Sequence, residues 1–166
     1  MRSTIDHEQR KFFLKNGWIE FESLLQKEEG NALVKEIGKI FPLYKGSPEE
    51  EGRFLSRYIP QIVRLIRKKG LGEIAFELLG YKPLRLAYDH AFQSLPDGKL
   101  QFPDIFPMTH EECGLLLHLE GEKAGHGIFF AEKGRESLYI DLNHWYLLLV
   151  FTRKYLNPDF HPIVYQ

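Results

Sequence analysis

Pro83-Leu84-Arg85-Leu86-Ala87-Tyr88-Asp89-His90-Ala91-Phe92 is the stretch that decides how this chain folds. Before it, apolar residues recur at the 3.6-residue period of helices. From Leu84 onward they recur at every second residue, the period of a strand with two distinct faces. The alternation places Leu84, Leu86, Tyr88, His90 and Phe92 on one face and Arg85, Ala87, Asp89 and Ala91 on the other. The chain reads as one domain, 1–166, in which 1–82 form a mainly helical cover with a short strand and 83–166 a β-rich core. A domain of this length buries about 70% of the surface its unfolded chain exposes, enough for a real core.

Upstream of Pro83, Thr4 is placed to cap a first helix, with Asp6 and Glu8 in its first turn and Ile5, Phe12 and Phe13 on one face. Asn16-Gly17 ends it. Trp18 to Glu22 then alternates as a short strand, Ile19 and Phe21 on one side and Trp18 with the two glutamates on the other. Gln26 to Phe41 reads as a second helix carrying Leu33, Ile37 and Ile40, stopped by Pro42. Lys45 to Gly52 is a polar loop with three successive acids. Pro60 opens a third helix whose Ile59, Ile62, Val63 and Ile66 form a stripe up to Gly70, and Leu71, Ile74, Ala75 and Leu78 repeat the pattern up to Gly80.

Downstream, Gln93 to Thr109 is a long connection containing Pro96, Pro103 and Pro107, of a length that in a compact domain is usually functional or mobile. Gly114 to Glu120 and His126 to Glu132 read as a hairpin around Gly121–Gly125, and Ser137 to Leu142 as a further strand. Trp145 to Tyr155 fits two descriptions. Leu142, Trp145, Tyr146, Leu149 and Arg153 match helical spacing, while its aromatic and β-branched content favours a buried strand, the assignment adopted.

The 43% apolar and 27% charged residues are those of an ordinary globular chain. A net charge of −1 gives no general attraction to phosphate backbones or anionic lipids, so neither a nucleic-acid nor a membrane partner is expected. The densest basic patch, Arg57, Arg64, Arg67, Lys68 and Lys69, reads as the solvated face and basic last turn of the third helix. Cys113 is the only cysteine, which excludes an internal disulfide and any multi-cysteine metal site. Met1 to Glu8 has no apolar signal core, and the run Trp145 to Phe151 is too short to span a bilayer, so a cytoplasmic location is expected.

Phe12-Phe13-Leu14-Lys15-Asn16-Gly17-Trp18-Ile19-Glu20-Phe21, followed by Gln26 to Glu29 and Leu33, resembles the opening of phytanoyl-CoA-dioxygenase-like proteins, a helix, a strand and a second helix in that order. Leu71 to Gly80, then Pro83 to Leu86, is similar to that family's helix, its Leu-Leu-Gly cap and its first core strand. Small chlamydial proteins share this layout. The resemblance covers the first half of the chain and implies an α+β fold: a double-stranded β-helix (jelly-roll, cupin-like) core with N-terminal helices packed on one sheet. It also implies Fe(II) held by a His-x-Asp/Glu pair and a distant His, with positions left open for 2-oxoglutarate and oxygen, and an Arg or Lys holding the far carboxylate of 2-oxoglutarate.

Matched onto this chain, His110-Glu111-Glu112 supplies the His-x-acid pair, His144 the distal ligand with His126 second, and Arg153 the cosubstrate anchor. Alternate residues share one face of a strand, which is why the pair is spaced two apart. The match weakens there. Between Glu112 and His144 there is room for about two strands of the usual 5–6 residues, fewer than the family places there. His144 and Arg153 lie on what reads as one element, and nine residues of strand span roughly 30 Å. The plainer reading of His110 and Glu112 is a polar pair in a proline-rich loop. Asp89 and His90 are adjacent and face opposite ways, and His90 reads as a hydrogen-bonded core histidine. Asp141 and His118 read as single surface positions and Cys113 as a buried thiol. The chain contains no glycine-rich phosphate loop, Gly-x-Ser-x-Gly elbow or His-Glu-x-x-His helix.

The expectation is therefore a protein of this oxygenase-like fold whose metal and cosubstrate site is degenerate, binding a small molecule or a protein without catalysis. The alternative is an active Fe(II)/2-oxoglutarate-dependent oxygenase using His110, Glu112 and His144. A third reading, a metal-responsive DNA-binding regulator, rests on seven histidines and the Arg57 to Lys69 patch. Whether His110, Glu112 and His144 converge in space bears most directly on the choice.

Overall fold

The computed structural model describes residues 5–40, 55–80, 84–93, 109–138, 144–153 and 163–165. Helix α1 (His7–Asn16) starts at Asp6, whose carboxylate accepts from the Gln9 N–H at 2.8 Å while the Gln9 side chain accepts from the Asp6 N–H at 3.0 Å. This reciprocal capping box satisfies two otherwise orphaned donors. The cap is thus Asp6, not Thr4, which lies outside the described residues. Gly17 ends the helix in the left-handed region at φ 80°. Of the apolar face read from the sequence, Phe13 is buried, whereas Phe12 is 41% exposed and meets Trp18 edge-on at 5.3 Å.

Strand β1 (Trp18–Phe21) leads into α2 (Lys27–Ile40), which buries Leu33 and Ile37. After a 3-10 turn, Leu55–Arg57, come α3 (Pro60–Lys69) and α4 (Leu71–Leu79). Leu65 joins Ile62 and Ile66 on the buried stripe of α3, while Val63 is half-buried. No helix among the described residues is long and apolar enough to cross a membrane.

The remaining strands are β2 (Leu84–Gln93), β3 (Glu112–His118), β4 (Gly127–Phe130), β5 (Trp145–Thr152) and β6 (Ile163–Tyr165). They form one six-stranded sheet in the order β1-β4-β3-β5-β2-β6, every neighbouring pair antiparallel. Strand β5 pairs with β3 on one side and β2 on the other, which settles the helix-or-strand ambiguity of Trp145 to Tyr155 for the residues described. Strands β3 and β4 form the expected hairpin, closed by a turn at Gly121–Gly125. The strand expected from Ser137 is not there at its start. Bonds from Gly134 N–H to Ala131 and from Leu138 N–H to Arg135 keep Glu132–Ser137 wound as a 3-10 segment, and 139–143 lie outside the described residues.

Strand β2 departs from simple alternation. Leu86 stands opposite Phe151 and Tyr88 opposite Val150, so Ala87 is an extra residue, a β-bulge. The bulge exchanges the faces. Leu84, Leu86, Asp89 and Ala91 share one side, and Ala87, Tyr88, His90 and Phe92 the other, so the single face read for Leu84 to Phe92 is really two.

Both sides of the sheet are buried. On the first, Phe13, Leu33, Ile37, Ile62, Ile66, Ile74 and Leu78 from all four helices pack with Leu115, Leu117, Leu147, Leu149 and Phe151. On the second, Tyr88, Phe92, Leu116, Phe130, Tyr146, Leu148 and Val150 form a separate cluster with Trp18 and Leu138 against it. Burial on both faces explains why β3 and β5 read as nearly continuous apolar runs.

Candidate functional site

The polar chemistry of the sheet lies on the face turned away from the helices. Five polar or charged residues among those described are buried: Asp89, His90, Glu112, His118 and Thr152. Strand parity puts four of them on the second face: Glu112 and His118 with Leu116 on β3, Thr152 with Val150 on β5, and His90 with Tyr88 and Phe92 on β2. Asp89 alone faces the helical side. It accepts from the Ser56 N–H at 3.1 Å and the Ser56 hydroxyl at 2.5 Å, and so fixes the Leu55–Arg57 turn. Burial raises its carboxyl above the ordinary range, against the opposing pull of the Ser56 and Leu55 hydrogen bonds and the Arg57 charge.

Three of the four groups of the inner face fall at its two ends, Glu112 and Thr152 at one and His118 at the other. At the first, the Glu112 carboxylate accepts from the Thr109 N–H at 3.1 Å, the Thr109 hydroxyl at 3.1 Å and the Thr152 hydroxyl at 3.1 Å. It is the lock of the turn that feeds β3. His110, next to it, is exposed. Arg153 is 49% exposed along its side chain and lies 3.5 Å from Glu111, while its carbonyl accepts from Arg85 at 3.3 Å.

At the second end, His118 and His126 close the β3–β4 ladder, their rings 6.4 Å apart. His118 packs edge-on against Tyr146 at 4.9 Å, and Tyr146 stacks on Phe92 at 5.6 Å with 17° between the rings. His90, opposite Leu148 near the middle of β5, lies beside Phe92 at 5.4 Å. His126 reaches outward to the Glu20 carboxylate at 3.2 Å, with Lys123 at 3.9 Å from the same oxygen. His144 belongs to this end too, its ring over Gly121, while the Glu120 carboxylate accepts from the neighbouring Trp145 N–H at 3.0 Å.

The residues singled out from the sequence are therefore brought together in part. His110, Glu112 and Arg153 share one end of the sheet. His144 and His126 share the other. In register, Glu112 pairs with Thr152 and His118 with Tyr146, so six residues of β3, about 20 Å of strand, lie between the ends. Two ligands of one transition-metal ion stand within about 4 Å of each other, since each bond is about 2 Å. His144 and Arg153 likewise flank the full length of β5. Among the described residues, no three His, Cys, Asp or Glu side chains are grouped to hold a metal ion.

Sequence reasoning missed His118, which reads as a surface position but is 2% exposed. Its signal was the run Leu115-Leu116-Leu117-His118-Leu119, which is apolar at both parities because both faces of β3 are covered. Asp141 lies outside the described residues. Cys113 is buried on the helical side, and desolvation pushes its thiol well up from the ordinary value. In the basic patch, Lys69 and Lys68 reach Glu29 of α2 at 2.9 and 3.8 Å, so two of its five cations join helices.

No protein-family model matches the chain, and no curated protein matches it in sequence. Solved structures do. CT296 from Chlamydia trachomatis is similar with a TM-score of 0.72 and 23% identity, over 93% of this chain and 99% of that one. HygX from Streptomyces hygroscopicus, solved with nickel and 2-oxoglutarate bound, matches with a TM-score of 0.63 and 12% identity over 93% of this chain and 90% of its own. SnoN, a non-heme α-ketoglutarate-dependent epimerase from nogalamycin biosynthesis, matches with a TM-score of 0.61 and 12% identity, over 86% of this chain and 80% of that one. The chain has the fold of the Fe/2-oxoglutarate-dependent oxygenases, shared with a chlamydial protein. At these identities the likeness concerns the fold, and function has to be argued from the site.

Proposed function

We propose that this chain is a single-domain binding protein of the 2-oxoglutarate-oxygenase-like fold, with a degenerate metal and cosubstrate site and a small molecule or a protein as its partner. The observation that carries this reading is the separation of His110 and Glu112 from His144 by the length of the β3–β5 ladder. A second feature supports it. Glu112 uses both carboxylate oxygens to hold Thr109 and Thr152, a structural role that needs no metal. The short β3–β4 hairpin fits a barrel shortened in its middle, where the resemblance called for more strands.

We further infer that the six-stranded sheet is one half of a double-stranded β-helix, its second face being the barrel interior. The burial of that face supports this. The groups that would meet a ligand there are Tyr88, His90, His118 and Tyr146, aromatic side chains that carry polar atoms. A cytoplasmic location suits a chain whose lone thiol, Cys113, is buried and reduced.

Titration calorimetry with Mn(II), with and without 2-oxoglutarate, tests the proposal. The expected result is no stoichiometric binding of either. Tight one-to-one Mn(II) binding abolished by His110→Ala would overturn it and establish the oxygenase reading instead.

A further inference from the structure

We draw no further inference here: the strongest candidate, the cluster of His90, His118, His126 and Tyr146 at the Phe92 end of the inner sheet face, belongs to the site already described, and nothing in the structure shows what lies against it.

Discussion

Gly114 and Phe130 are register partners on the β3–β4 ladder, and the Phe130 ring occupies the space in which any side chain at position 114 would stand. The centre of the inner face is thus filled by a ring from the neighbouring strand. Gly114→Ala is expected to force that ring aside and cost about 1–3 kcal/mol, the usual penalty of overpacking. Urea denaturation measures it, and Phe130→Leu in the same chain is expected to restore part of the loss. An unchanged midpoint in Gly114→Ala would show that the ring has room to move.

Glu112 separates a structural carboxylate from a metal ligand. Glu112→Ala leaves the Thr109 N–H and the Thr152 hydroxyl without their acceptor at a buried site, at a cost of about 1–3 kcal/mol. The expected outcome is a lower thermal midpoint with no change in the response to Mn(II). A metal-induced rise in midpoint for the unaltered chain, absent from Glu112→Ala, would contradict the role of turn lock.

Asp89 gives stability a dependence on pH of defined sign. Burial raises its folded-state pKa above the unfolded value, so its contribution is complete below the unfolded value and is lost as pH rises through the folded one. Asp89→Asn keeps an acceptor for Ser56 and removes the ionisation. The variant is expected to gain stability relative to the unaltered chain as pH increases, read from thermal midpoints across a pH series. Parallel curves for the two proteins would refute this.

Glu29 acts in the opposite sense. Burial pulls its carboxyl upward, but the Gln26 N–H together with Lys69 and Lys68 outweighs that pull and leaves it below the ordinary range. Its contribution is present above the unfolded pKa and disappears as pH falls through the folded one. Glu29→Gln is expected to flatten the acid limb of the stability curve, and 1 M salt to do so in part, since the Lys68 partner is exposed.

Much of this architecture is legible in the residues themselves. Pro83 marks where the period changes, Gly17, Gly70 and Gly80 end their helices where expected, and β3 and β4 pair about the glycine turn. What resisted reading has physical causes. Thr4 and Asp6 are both good caps, and only the return bond from Gln9 chooses between them. His118 looked like a surface residue because a strand buried on both faces has no polar parity to read it against. The likeness in the helical half identified the fold. The candidate ligands, by contrast, depended on the relative register of β3 and β5, a long-range quantity that spacing along the chain does not contain.

The extra residue at Ala87 turns β2 into two half-strands of opposite phase. Were the same residues paired one by one without the bulge, Tyr88 and His90 would point into the helical layer and Asp89 into the interior. The side-chain inventory of the inner face therefore depends on the bulge absorbing this residue as well as on residue identity. Because Leu86 and Tyr88 stand opposite the consecutive residues Phe151 and Val150, deletion of Ala87 would leave Tyr88 and His90 inside and Asp89 on the helical side, so the bulge is a point at which a scaffold of this kind can gain or shed a residue without altering what its interior is able to bind.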